Sequence, residues 1–169
     1  MPITVLTLMR PRGASLLVGT ETGQICLFGL TSGNYTFKQL LRSDIMTPVH
    51  AIISLSKTHF AFTSKNTVQI CSVNRPVAPE VVYKVSENVA IVAMAANATV
   101  LALCCEHLGV VFYELEQNCE ISVHAVPPGD AACTISCSVT SGDFIVGTRR
   151  GCVMLFRGNG LLREIQPPA

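Results

Sequence analysis

The strongest constraint on this chain is a segment that recurs. Leu17-Val18-Gly19-Thr20-Glu21-Thr22-Gly23-Gln24-Ile25-Cys26-Leu27-Phe28 is nearly copied by Ile145-Val146-Gly147-Thr148-Arg149-Arg150-Gly151-Cys152-Val153-Met154-Leu155-Phe156. The copies lie 128 residues apart, which holds three periods of about 43. Periods of this size mark repeat architectures, in which each unit buries its apolar surface only by stacking on its neighbours. Two further copies are then expected between them, and two are present. One runs from Phe60 to Cys71 and the other from Leu101 to Tyr113. The closing positions Phe28, Cys71, Tyr113 and Phe156 are separated by 43, 42 and 43 residues.

Each copy reads as a β-hairpin. An apolar run enters a tight turn that ends in Gly23, Asn66 or Gly151, residue types that tolerate a left-handed backbone. The third copy has Leu108 at that position and its glycine one residue later, so a bulge or a longer loop is expected there. After each turn, apolar residues stand two apart: Ile25 and Leu27, Val68 and Ile70, Val110 and Phe112, Val153 and Leu155. That spacing places each pair on one face of a strand.

Flanking runs complete each unit. Inner strands are expected over Thr4–Met9, Val49–Leu55, Val89–Met94 and Cys133–Val139. Outer strands are expected over Thr36–Leu41, Val81–Ser86, Ile121–Val126 and Leu161–Ile165. The connectors are Thr31-Ser32-Gly33-Asn34, Asn74-Arg75-Pro76, Pro127-Pro128-Gly129-Asp130 and Gly158-Asn159-Gly160, all rich in turn formers. The units span about 1–44, 45–87, 88–130 and 131–169, read as one domain.

The run Gly-x-Ile-x-Leu-Phe after a tight turn resembles the third strand of a WD40 repeat. The Trp-Asp pair of that family is represented by Phe28-Gly29, Cys71-Ser72, Tyr113-Glu114 and Phe156-Arg157, and the chain has no Trp. The fold class this implies is all-β: four four-stranded antiparallel units, as blades of a partial or half WD40-like β-propeller. The resemblance also implies a protein-interaction scaffold or adaptor, of the kind found in trafficking and signalling assemblies. No strand is left over to zip the ends together. Open blade faces and edges then call for completion by a second copy, as a homodimer, or by another propeller chain.

Composition narrows the partners. Apolar residues make up 49% and charged residues 14%, so much of the chain is expected to be covered on more than one side. A net charge of +1 implies no attraction to nucleic acid. The apolar stretch Val89–Cys105 is short for a membrane span, and its Ala95-Ala96-Asn97-Ala98 break reads as a turn between strands, so no integral membrane segment is expected. The N-terminus lacks the pattern of a signal peptide. Eight cysteines, mostly within apolar runs, read as reduced core thiols of a cytoplasmic protein.

No catalytic set is expected. His50, His59, His107 and His124 stand in no nucleophile or metal motif, and His124 is expected to point to solvent. Cys133 and Cys137 are too far apart along a strand to share a zinc ion, so neither metal nor other cofactor is expected. The inner strands offer Thr and Ser but no acid or histidine cluster for a channel site. The candidate partner-binding residues are the hairpin tips: Glu21, Thr22, Ser64, Lys65, Glu106, His107, Arg149 and Arg150. The adjacent guanidiniums of Arg149 and Arg150 suit a phosphate or an acidic peptide. Two further readings stay open: a small closed propeller binding a ligand in its channel, and a regulatory fragment of a larger protein.

Overall fold

A computed structural model describes residues 2–9, 15–42, 47–74, 80–86 and 88–169. The Arg75-Pro76 part of the second connector and the boundary residues Asp44 and Glu87 lie outside them. All regular structure among the described residues is β, in four antiparallel sheets of four strands. Sheet 1 holds β1 (Ile3–Leu8), β2 (Ser15–Thr20), β3 (Ile25–Thr31) and β4 (Asn34–Arg42). Sheet 2 holds β5 (Val49–Ser54), β6 (His59–Ser64), β7 (Thr67–Ser72) and β8 (Glu80–Lys84). Sheet 3 holds β9 (Ile91–Ala96), β10 (Val100–Cys105), β11 (Gly109–Glu114) and β12 (Cys119–His124). Sheet 4 holds β13 (Ala132–Cys137), β14 (Phe144–Thr148), β15 (Val153–Arg157) and β16 (Gly160–Ile165). Within each sheet the strands pair in chain order, as expected for blade-like units.

The chain divides into two compact units, Met1–Asn88 and Val89–Ala169, each holding two sheets. In the first, Leu17 and Ile25 of sheet 1 pack with Val49, Ile52, Phe60 and Phe62 of sheet 2. Thr4 Oγ1 also donates to the carbonyl of Val49 at 2.6 Å. In the second, Ala102, Val110 and Phe112 of sheet 3 pack with Phe144, Val146, Met154 and Phe156 of sheet 4. Phe112 is the hub there: its ring lies 5.0 Å from that of Phe156 and 5.7 Å from that of Phe144.

The repeat extends to its irregularities. In every sheet the inner strand carries one residue more than its partner near the end of the second strand. Ile3 and Val5 face Thr20 and Gly19, and Ala132 and Thr134 face Thr148 and Gly147. Ile91 and Ala93 face Cys105 and Cys104, and Val49 and Ile52 face Ser64 and Phe62. Thr4, Val92 and Cys133 are the extra residues of sheets 1, 3 and 4, and all three are exposed. Bulges of this kind bend the strand and sharpen its twist. Glycine at 19 and 147 lets the bulged strand come close. A β-carbon there would sit 2.7 Å from Val5 Cγ1 or from Thr134 Cγ2.

Several details depart from the sequence reading. The third and fourth inner strands are Ile91–Ala96 and Ala132–Cys137, and Val139 beyond the latter is 82% exposed. In the second hairpin the left-handed residue is Lys65 (φ +53°), not Asn66. Ser64 and Thr67 pair directly, so that turn has only two residues, and the amide of Asn66 donates to the Val85 carbonyl instead. The third hairpin is not lengthened: β10 and β11 pair without a slip down to Cys105 and Gly109. Its three-residue tip is accommodated by left-handed His107 (φ +62°) and by Gly109 (φ +109°). His124 is not solvated. It pairs with Val110, whose face is the core, and its ring packs edge-on to Phe112 and Phe156.

The cysteines are all free, and they are not all core. Cys71, Cys104, Cys105 and Cys152 are buried, whereas Cys119 and Cys133 are exposed. Burial pushes the Cys104 and Cys105 thiols up to about 12, so both stay protonated at neutral pH.

Candidate functional site

The expected tips divide between the two units: Glu21, Thr22, Ser64 and Lys65 belong to the first, Glu106, His107, Arg149 and Arg150 to the second. A repeated clamp sets the tips. The first tip residue donates its amide to the residue just before the inner strand: Glu21 to Pro2 (3.1 Å), Glu106 to Ala90 (2.8 Å) and Arg149 to Ala131 (2.8 Å). In the first unit, Ser64 is buried and shares a 2.7 Å hydrogen bond with Thr47, which removes it from any partner-facing surface. Glu21, Thr22 and Lys65 are exposed.

In the second unit the tips enclose a cleft of about 410 Å³. His107 and Leu108 of the third tip form one wall, Val126, Pro127 and Pro128 of the β12–β13 connector a second, and Arg149 of the fourth tip closes it. Pro127 and Pro128 open a tight turn, closed by the Asp130 amide donating to the Pro127 carbonyl at 3.0 Å with Gly129 left-handed (φ +74°), and the two prolines leave no amide of their own to be satisfied. The connector was read from the sequence only as punctuation; the proline pair between two charged tips was the signal that could have placed it.

Asp130 anchors this rim. Its carboxylate accepts the Thr148 hydroxyl, the Ala131 amide at 2.8 Å and the Arg150 amide at 3.0 Å. Thr148 Oγ1 in turn accepts the Cys152 amide at 3.0 Å, which pins the fourth hairpin. In sheet 1 the equivalent Thr20 accepts Gln24 in the same way, but its second partner is the hydroxyl of Thr22. Partial desolvation works to raise the Asp130 pKa. The Thr148 hydroxyl, the two amides and the Arg150 charge outweigh it, and the carboxyl lies below its ordinary 3.8. A depressed carboxyl stabilises the fold above its ordinary range, and that contribution is lost only as pH falls through the lower folded value. The amide NMR shifts of Ala131 and Arg150 are therefore expected to titrate together with a midpoint below 3.8, and to lose that step in Asp130→Asn. A shared midpoint at or above the ordinary value would contradict this anchoring.

Arg149 and Arg150, indistinguishable in the sequence, differ in place. Arg150 is tied to Asp130 through its amide and its charge, with its guanidinium over Gly129. Arg149 is exposed, lines the cleft, and is held by no ion pair among the described residues. The cleft thus offers one available guanidinium, an adjacent imidazole at His107, and apolar walls. That arrangement suits an extended segment presenting a carboxylate beside small apolar side chains.

Among the described residues no group of three His, Cys, Asp or Glu is placed to hold a metal ion. Nor is any helix among them long and apolar enough to cross a membrane, and Val89–Cys105 holds the whole of β9 and β10. No protein-family model matches the chain.

Proposed function

We propose that this chain is a non-catalytic interaction scaffold of WD40-like blades, and that the rim cleft of its second unit docks an acidic, extended segment of a partner protein. The observation that carries this reading is the exposed Arg149 guanidinium, held by no ion pair among the described residues, in a cleft that it shares with His107 and with apolar and proline walls. The Arg149 guanidinium, the His107 imidazole and the apolar walls give the cleft groups suited to holding a carboxylate beside small apolar side chains. A cytoplasmic assembly, in trafficking or signalling, suits eight free cysteines, which an oxidising compartment would threaten.

The test is a fluorescence-anisotropy titration with labelled peptides that carry Asp or Glu flanked by Leu and Pro. Arg149→Ala is expected to weaken binding about tenfold, since a charge-assisted contact is worth roughly 1.5 kcal/mol. Arg150→Ala is expected to change it less than about threefold, because Arg150 does not line the cleft and its guanidinium lies over Gly129. Affinity untouched by Arg149→Ala, or equal losses in both variants, would overturn the reading.

A further inference from the structure

Within each unit the two sheets meet through opposite faces, the trailing face of the earlier sheet and the leading face of the later one. The repeat allows the two to be followed position by position. Leu17, Ile25 and Leu27 form the trailing face of sheet 1, packed against sheet 2. Their equivalents in sheet 3, Ala102, Val110 and Phe112, are packed against sheet 4. The leading face of sheet 4 is Phe144, Val146, Met154 and Phe156, all buried against sheet 3. That of sheet 2 includes Phe60, Phe62 and Cys71, buried against sheet 1. One joint, trailing face on leading face, is therefore built twice, once in each unit.

Two faces of the same kind are left partly uncovered, although Val18 at the centre of the first is itself buried. On sheet 1 the leading positions are Leu16, Val18, Cys26 and Phe28, which align with the buried Phe144, Val146, Met154 and Phe156 of sheet 4. Register places Leu6, Leu8, Leu40 and Phe37 opposite them on the same face. These are 57%, 51%, 40% and 58% exposed. On sheet 4 the trailing positions are Ile145, Val153 and Leu155, which align with the buried Leu17, Ile25 and Leu27 of sheet 1. Ile145 and the neighbouring Ile165 are 48% and 43% exposed. Apolar patches of this extent mark interaction surfaces.

We infer that the open leading face of sheet 1 and the open trailing face of sheet 4 are the two halves of that same joint, and that the occupant of each is a second copy of this chain. The argument for a copy is that one chain carries both halves. In a two-fold dimer, sheet 4 of each copy seats on sheet 1 of the other. Both apolar faces of both chains are then covered at once, and the assembly closes rather than growing into a filament. The dimer brings together eight blades, within the range propellers use. This surface is separate from the rim cleft and stands whether or not the cleft binds acidic segments.

The experiment is light scattering after gel filtration of the full chain. The expected mass is twice the 18.1 kDa of one chain. Leu6→Asp and Ile145→Asp each place a carboxylate in one half of the joint and are expected to weaken self-association about a hundredfold or more, to monomer at micromolar concentration. Mixed one to one, the two variants are expected to recover a mass of two chains, because one of the two joints then has both faces intact. A monomeric wild type, an open series of masses, a dimer that survives both substitutions, or a mixture that stays monomeric would each overturn the inference. If circular dichroism shows that either Asp variant loses its β-structure, Leu6→Ser and Ile145→Ser replace the pair under the same readings.

Discussion

Gly109→Ala is expected to lower the thermal midpoint of the second unit by about 10 °C or more, from a loss of about 3 kcal/mol. Two costs add at this position. The backbone has φ +109°, which a side chain strains to adopt. A β-carbon would also be driven into the carbonyl oxygen of His124 and to within 3.0 Å of Ala125 Cα. Both obstacles are backbone of the neighbouring strand, so neither can rotate away. Gly33→Ala separates the two costs. That glycine has φ +82° but nothing within 4 Å of its missing β-carbon, so only the backbone cost of roughly 1 kcal/mol applies. Equal losses in the two variants, read by differential scanning calorimetry, would show that the His124 contact is not what requires glycine at 109.

Phe112→Ala is expected to cost about 3–5 kcal/mol, the range for emptying a buried phenyl site. The ring is fully buried and contacts His124 of β12 in its own sheet and Phe144 and Phe156 of β14 and β15 in sheet 4, so its removal opens the joint between sheets 3 and 4 rather than one strand. Amide hydrogen exchange reads that difference. Protection is expected to fall in β10 and β14 together, although only β11 carries the substitution. Faster exchange confined to β11 and its hairpin would mean that the two sheets do not share one cooperative core.

What the sequence made legible was what depends on local order. The recurring Gly-x-Ile-x-Leu-Phe pattern placed four hairpins, and alternation chose the faces of residues such as Ile25 and Val110 correctly. What escaped it depends on contacts across strands. Ser64 was taken for a tip residue because it aligns near one, but a two-residue turn draws it into the last paired position. His124 was assigned to solvent by alternation, whereas an extra residue in β12, between Ser122 and Glu120, and pairing with Val110 set its face. Arg149 and Arg150 are told apart only by Asp130, on a connector that the hairpin pattern does not reach. The rim cleft was half legible: its charged tips were named, and its proline wall was not.

The extra residue in each inner strand also changes how such strands are written. An unbroken strand returns to the same face every second residue. Here Val49 and Ile52 meet in one cluster, and so do Ala132 and Ile135, although each pair is three residues apart. Ile91 and Met94, both buried, and Ile3 and Leu6, both exposed, keep the same interval. The inner strands therefore carry a phase shift of one residue, which lends a helix-like spacing to sequence that is wholly extended. Deleting the single residue Cys133 would bring Ala132 and Ile135 two positions apart, so plain alternation would keep both on the core face and the strand would lose its bulge with the bend it imposes.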